Sequence, residues 1–211
     1  MSLQRSLVVL LVVLLAASMA VAQMPSPFSA DMVMTSAKLS QQSMTGKIYF
    51  DGSSRFRVDT SMMGMSAWNI ADSKSQIVYS VMPQQQMYME TRLDQFRAQS
   101  KADFTPYDAS NPCAAKPDYN CTKVGTENVN GRSCNKWEFT SKVGGVKRWV
   151  WIDQQSNIPV KTLTADGTTV EMRNIQEGAQ PDSLFQVPPG FRKMDLGEMM
   201  KGMMGGGRPQ K

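Results

Sequence analysis

Between residues 28 and 175 apolar and polar residues alternate along most of the chain, the period-two signature of half-buried strands. Residues 46–50 and 55–60 alternate around Asp51-Gly52, with Ile48, Phe50, Phe56 and Val58 on one side and Lys47, Tyr49, Arg55, Arg57 and Asp59 on the other. Asp-Gly between two such runs predicts a hairpin, because glycine accepts the left-handed backbone that a tight turn needs. Asn130-Gly131, between residues 124–129 and 132–141, is the strongest signal of this kind. Gly144-Gly145, the segment 154–157 and Ala165-Asp166-Gly167 then separate strands at 146–152, 158–164 and 168–175. Residues 66–71, 76–82 and 87–91 form a similar series, and residues 28–36 add a strand in front. The pattern predicts nine or ten strands in an antiparallel meander, without crossovers. A short helix is expected at 93–101, where Leu93 and Phe96 are the apolar positions, and a helical turn at 182–185.

A sheet of that length with an apolar face must cover the face or curl upon itself. Two short helices are little cover for so many strands. The expected fold is therefore mainly β, a curved antiparallel sheet forming an open, incomplete β-barrel with one or two short plug helices. Its interior is a candidate cavity for an apolar ligand, lined by Phe56, Val58, Trp68, Ile70, Trp137 and Phe139. Trp149 and Trp151 share a strand face, as do Trp137 and Phe139, and each pair reads either as cavity wall or as core.

The termini differ from this domain. Residues 1–22 read as a signal peptide: Arg5 supplies the charge, residues 7–17 the apolar stretch, and Ala20-Val21-Ala22 the small residues before a cut at Gln23. The domain is expected over residues 23–196, and a flexible tail rich in Met and Gly over 197–211. No cysteine stands near the cut, so a lipid anchor there is not expected; the product reads as periplasmic or secreted.

Composition narrows the chemistry. The 211 residues contain no histidine, which removes Ser-His-Asp and Cys-His nucleophilic sites and His-ligated zinc. A net charge of +5 spread along the chain does not call for nucleic acid. Asp51, Asp59, Asp72, Glu90 and Asp153 are scattered, and no pair is set apart for acid/base work. In an oxidising compartment the three cysteines allow one disulfide. Cys113–Cys121 is favoured because it closes a short loop, pairing of Cys134 with either one remains the alternative, and in the favoured case Cys134 is left as the reactive thiol. Spacings of 8 and 13 fit no zinc pattern. The 18 methionines gather at 62–65, at 82–89 and in the tail. Thioethers suit surfaces that accommodate varied apolar partners. Met199, Met200, Met203 and Met204 could alternatively gather around Cu(I).

Three stretches carry a resemblance. Gly46-Lys47-Ile48-Tyr49 with Arg55-Phe56-Arg57-Val58-Asp59 resembles the early hairpin of LolA/LolB-like lipoprotein carriers. Val150-Trp151-Ile152-Asp153, Ile158-Pro159-Val160-Lys161 and Asp166-Gly167 follow the same pattern. Leu184-Phe185-Gln186-Val187-Pro188-Pro189-Gly190-Phe191 is similar to the closing motif of uncharacterised secreted branches of that superfamily. The resemblance implies an open β-barrel with a helical plug, holding acyl chains or sensing them in envelope-stress regulation. The expected function is that of an exported, monomeric, non-enzymatic protein without cofactor, binding an acyl chain, lipid or lipoprotein. An envelope-stress sensor acting on a membrane protein or membrane surface, and a Cu(I)-binding protein, are the alternatives.

Overall fold

A computed structural model describes residues 25–36, 43–62, 64–100, 111–114 and 116–194. The expected leader at 1–22 and tail at 197–211, with Met199, Met200, Met203 and Met204, lie outside the described residues. The strands are β1 (Phe28–Thr35), β2 (Ser43–Phe50), β3 (Arg55–Met62), β4 (Met65–Asp72), β5 (Ile77–Met82) and β6 (Met87–Arg92), followed by the helix α1 (Leu93–Ser100). After it come β7 (Tyr119–Val129), β8 (Arg132–Ser141), β9 (Lys147–Asp153), β10 (Pro159–Thr164), β11 (Thr169–Glu177) and β12 (Arg192–Lys193). Asp182–Phe185 forms a 3-10 turn. The mainly β fold with one short helix matches the expectation.

All twelve strands form one open sheet in the order β12-β6-β5-β4-β3-β2-β1-β11-β10-β9-β8-β7. This corrects the expected single meander. Two meanders, β1–β6 and β7–β11, meet where β1 pairs with β11. The connection through α1 carries the chain from the β6 side of the sheet to its far edge at β7. β12 was also not foreseen; it pairs in parallel with β6, and two residues are too few to show alternation.

The turns follow the sequence. Asn130 and Gly131 take φ of 51° and 82°, the left-handed pair that a two-residue hairpin turn requires. At the β2–β3 turn the Asp51 carboxylate accepts the N–H groups of Ser53, Ser54 and Arg55 and the Arg55 Nε–H at 2.7 Å. Gly46 lies where β2 crosses β3 most closely: a Cβ there would collide with the Asp59 carbonyl oxygen.

Register decides which residues share a face, since cross-strand partners point the same way. Phe28 pairs with Phe50, Phe50 with Phe56, Phe56 with Ala71 and Ala71 with Val78, giving one apolar rung across five strands. Leu93 and Phe96 of α1 pack on Ala71 and Val78 from this apolar face. Phe28, Ala30, Ile48 and Phe50 join Ile158 and Met172 in a cluster that spans both meanders. On the other face Ile70 and Val81 are covered by Phe185, with Leu184, Val187 and Phe191 packed beside it. Arg57 anchors that cover, donating to the Leu184 carbonyl at 3.0 Å and to Asp59 at 2.6 Å while lying 4.1 Å from the centre of the Trp68 ring. This second face is mixed in character, apolar under the closing segment and charged elsewhere.

Candidate functional site

The six residues expected to line a cavity do not face one space. Phe56 and Val58 lie on the apolar face beside the cluster that spans both meanders. Trp137 and Phe139 lie on the same face, which the register carries from Met34 through Val170, Thr162 and Val150 to Trp137. They belong to another cluster, with Val150, Ile152 and the disulfide loop. Trp68 and Ile70 pair with Asp59 and Arg57 and point to the mixed face. β4 carries apolar side chains on both sides, so alternation alone could not assign them.

Trp149 and Trp151 also occupy the mixed face. Their indole N–H groups donate to Glu138 at 3.2 Å and Glu127 at 2.7 Å, and Lys136 and Lys161 lie over the Trp151 ring. They are satisfied packing residues with charged cover. The scattered carboxylates find structural partners as well: Asp51 with Arg55, Asp59 with Arg57, Asp153 with Arg132, and Glu90 with Lys193. Cys113 and Cys121 form the favoured disulfide, with Cα atoms 5.7 Å apart. Cys134 is fully buried, and burial pushes its thiol up to about 11. It is not the reactive thiol expected from the sequence, because a buried neutral thiol is a poor nucleophile.

Register places methionines of four strands on the apolar face, in two groups on either side of β3 and β4. Met32 and Met34 on β1, Met44 on β2, Met82 on β5 and Met87 and Met89 on β6 all project from the apolar face. Met34 stands opposite Met44, and Met82 opposite Met87. Met32 is nearly buried and lies against Met172 on β11, whereas Met34, Met44, Met82, Met87 and Met89 are only half-buried. On this face β11, β10 and β9 stand between Met34 and Trp137, whose indole N–H is buried and has no acceptor among the described residues. Flexible, half-buried thioethers on one face can take an acyl chain laid across them.

A groove of about 600 Å³ opens on the mixed face, with Asp31, Lys47, Asp59, Trp68, Arg173 and Asn174 among its walls. Two of its charged walls are held by neighbours: Asn174 donates to Asp31 at 2.7 Å and Arg173 pairs with Glu171. Among the described residues no group of three or more His, Cys, Asp or Glu side chains could hold a metal ion.

Residues 28–155 match a family described as Domain of unknown function (DUF4412). Among curated proteins none matches the sequence. The fold is similar to that of an uncharacterised conserved protein from Thermus thermophilus, at 9% identity and a TM-score of 0.56 over 82% of this chain and 91% of that one. Matches also include a LolA superfamily protein from Nitrosomonas europaea, at 10% identity and a TM-score of 0.36 over 79% of this chain and 91% of that one. The Pseudomonas aeruginosa MucA/MucB complex matches at 17% identity and a TM-score of 0.47, over 77% of this chain and 56% of that one.

Proposed function

We propose that this chain, which belongs to the DUF4412 family, is an exported, non-enzymatic protein that binds an acyl chain or lipid along the methionine strip of its open sheet. The observation that carries the reading is the register that sets Met34 and Met44, and across β3 and β4 Met82, Met87 and Met89, half-buried on one face. Unbranched thioethers adapt to cargo of variable shape. Burial of each CH₂ contributes about 0.8 kcal/mol, so a long chain is held without specific polar contacts. The Cys113–Cys121 disulfide supports an oxidising compartment, which suits export. The sequence resemblance to LolA/LolB-like carriers, from the early hairpin to the closing motif, is in keeping with cargo of this kind.

The test is a lipophilic dye displaced by fatty acids. Wild type should bind the dye and release it to fatty acid. Met44→Glu and Met87→Glu should each weaken dye binding by about tenfold or more, because a carboxylate in an apolar contact is penalised by at least ~1.4 kcal/mol. Both positions are half-exposed, so melting temperatures should stay near wild type. Dye binding that both variants retain would sink the reading.

A further inference from the structure

We infer that the end of the sheet bearing the β8–β9 turn docks on an anionic phospholipid surface, with Val143 and Val146 entering the headgroup layer and Lys142 and Lys147 meeting phosphates. This rests on the cargo reading above, since a carrier of acyl chains must collect them from a bilayer.

The turn is built to protrude. Gly144 and Gly145 take φ of 75° and 63° in open space. The Ser141 N–H donates to the Val146 carbonyl at 2.9 Å, and the Ser141 hydroxyl donates to the Val143 carbonyl at 2.8 Å while accepting the Val143 N–H at 3.2 Å. These bonds fix a tip on which Val143 is 82% and Val146 61% exposed. Two valines held out in water on a rigid turn do nothing for the fold.

Other features of the same end agree. Pairing of Thr35 with Ser43 and Thr169, of Leu163 with Thr169, of Thr164 with Arg148 and of Thr140 with Lys147 places the turn at the end of the sheet where β1 finishes. The β3–β4 turn lies at this end too, and Met65 beside it is 62% exposed. Among the described residues, three of the four large apolar side chains that stand exposed are therefore at one end. The half-buried Met34, Met44, Met82 and Met87 lie just behind, so cargo entering here would pass from bilayer to strip.

Charge chooses the partner. Lys142, Lys147 and Arg148 flank the valines. Lys142 makes no ion pair among the described residues, and Lys147, paired with Glu138 at 2.9 Å, keeps about half of its side chain exposed. Of the acidic residues near this end, Asp118 lies beside Lys142, its carbonyl accepting the Lys142 N–H at 2.8 Å, and Asp166 is turned to the Thr164 hydroxyl and the Thr168 N–H. The opposite end carries Asp51, Asp72, Asp94, Asp153, Asp182 and Glu177 at or near its turns; its Arg55, Arg92 and Arg132 are bound in ion pairs, and Lys74 stands in its β4–β5 turn. A molecule polarised this way presents its cationic, apolar end to an anionic surface. No helix among the described residues is long and apolar enough to cross a membrane, so the contact proposed is peripheral.

The experiment is co-sedimentation of the full chain with phosphatidylcholine vesicles, with and without phosphatidylglycerol. Wild type should bind only the anionic vesicles. The double variant Val143→Ser, Val146→Ser should lose about tenfold in partitioning, and Lys142→Gln about fivefold. Val143→Trp should bind more tightly, because indole favours the interface. All three should keep wild-type melting temperature and dye displacement. Equal binding by wild type and the serine variant, binding to neutral vesicles alone, or no binding at all would each overturn the inference. Loss of dye displacement with vesicle binding intact would instead sink the cargo reading and leave the docking surface standing.

Discussion

At Asp51 burial opposes ionisation, and the Arg55 guanidinium with three backbone N–H groups outweighs it, holding the carboxyl at about 2 against an ordinary 3.8. A carboxyl depressed in the folded state contributes stability above its unfolded value and loses that contribution as pH falls through the folded one. The window here runs from about pH 4 down to about pH 2, and the contribution is about 2 kcal/mol. Asp51→Ala should therefore lower the free energy of unfolding in urea by about 2 kcal/mol at pH 7, and flatten its fall between about pH 4 and pH 2. An unchanged pH profile would show that the turn does not depend on this carboxylate. The Asp51-Gly52 turn was legible in the sequence. The ion pair between Arg55 and Asp182 was not, because the two are brought together only when the closing segment folds over the sheet.

Among the elements, hairpins were legible wherever glycine supplied the turn, as at Asn130-Gly131 and Gly144-Gly145. β4 was legible as a strand but not as to face, since Trp68 and Ile70 on one side compete with Ala67 and Ala71 on the other. β7 begins earlier than alternation suggested, and Tyr119 and Cys121 lie within it. Its start is tied to the disulfide, which closes a separation of eight residues and packs its loop against Phe139, Val150 and Ile152. Loop-closure entropy assigns that bond about 2.5 kcal/mol. Thiol labelling checks the arrangement. No cysteine should react in the native, oxidised protein. Reduction should expose Cys113 and Cys121 and lower the urea midpoint. Cys134 should react only after denaturation, and its labelling in the native state would contradict its burial.

For the molecule as a whole, the decisive contact was beyond local pattern. β1 and β11 are separated by most of the chain, and nothing in their alternation names the other as partner. Their pairing turns two meanders into one sheet and sets Phe28, Ala30, Ile48 and Phe50 against Ile158 and Met172. The same pairing brings Met172 to Met32 and continues the apolar face beyond the methionines to Val170, Thr162 and Val150. A core shared between halves predicts cooperative unfolding. Ile158 is fully buried in that core, and Ile158→Ala should reduce stability by about 3 kcal/mol through lost contacts and a residual cavity. Trp68 reports on the first meander and Trp137, Trp149 and Trp151 on the second, so variants that each retain tryptophan in one half can follow the halves separately. In the Ile158→Ala background both reporters and far-UV circular dichroism should shift to lower urea together, with one midpoint. If the first meander kept its wild-type midpoint while the second melted early, the halves would be independent.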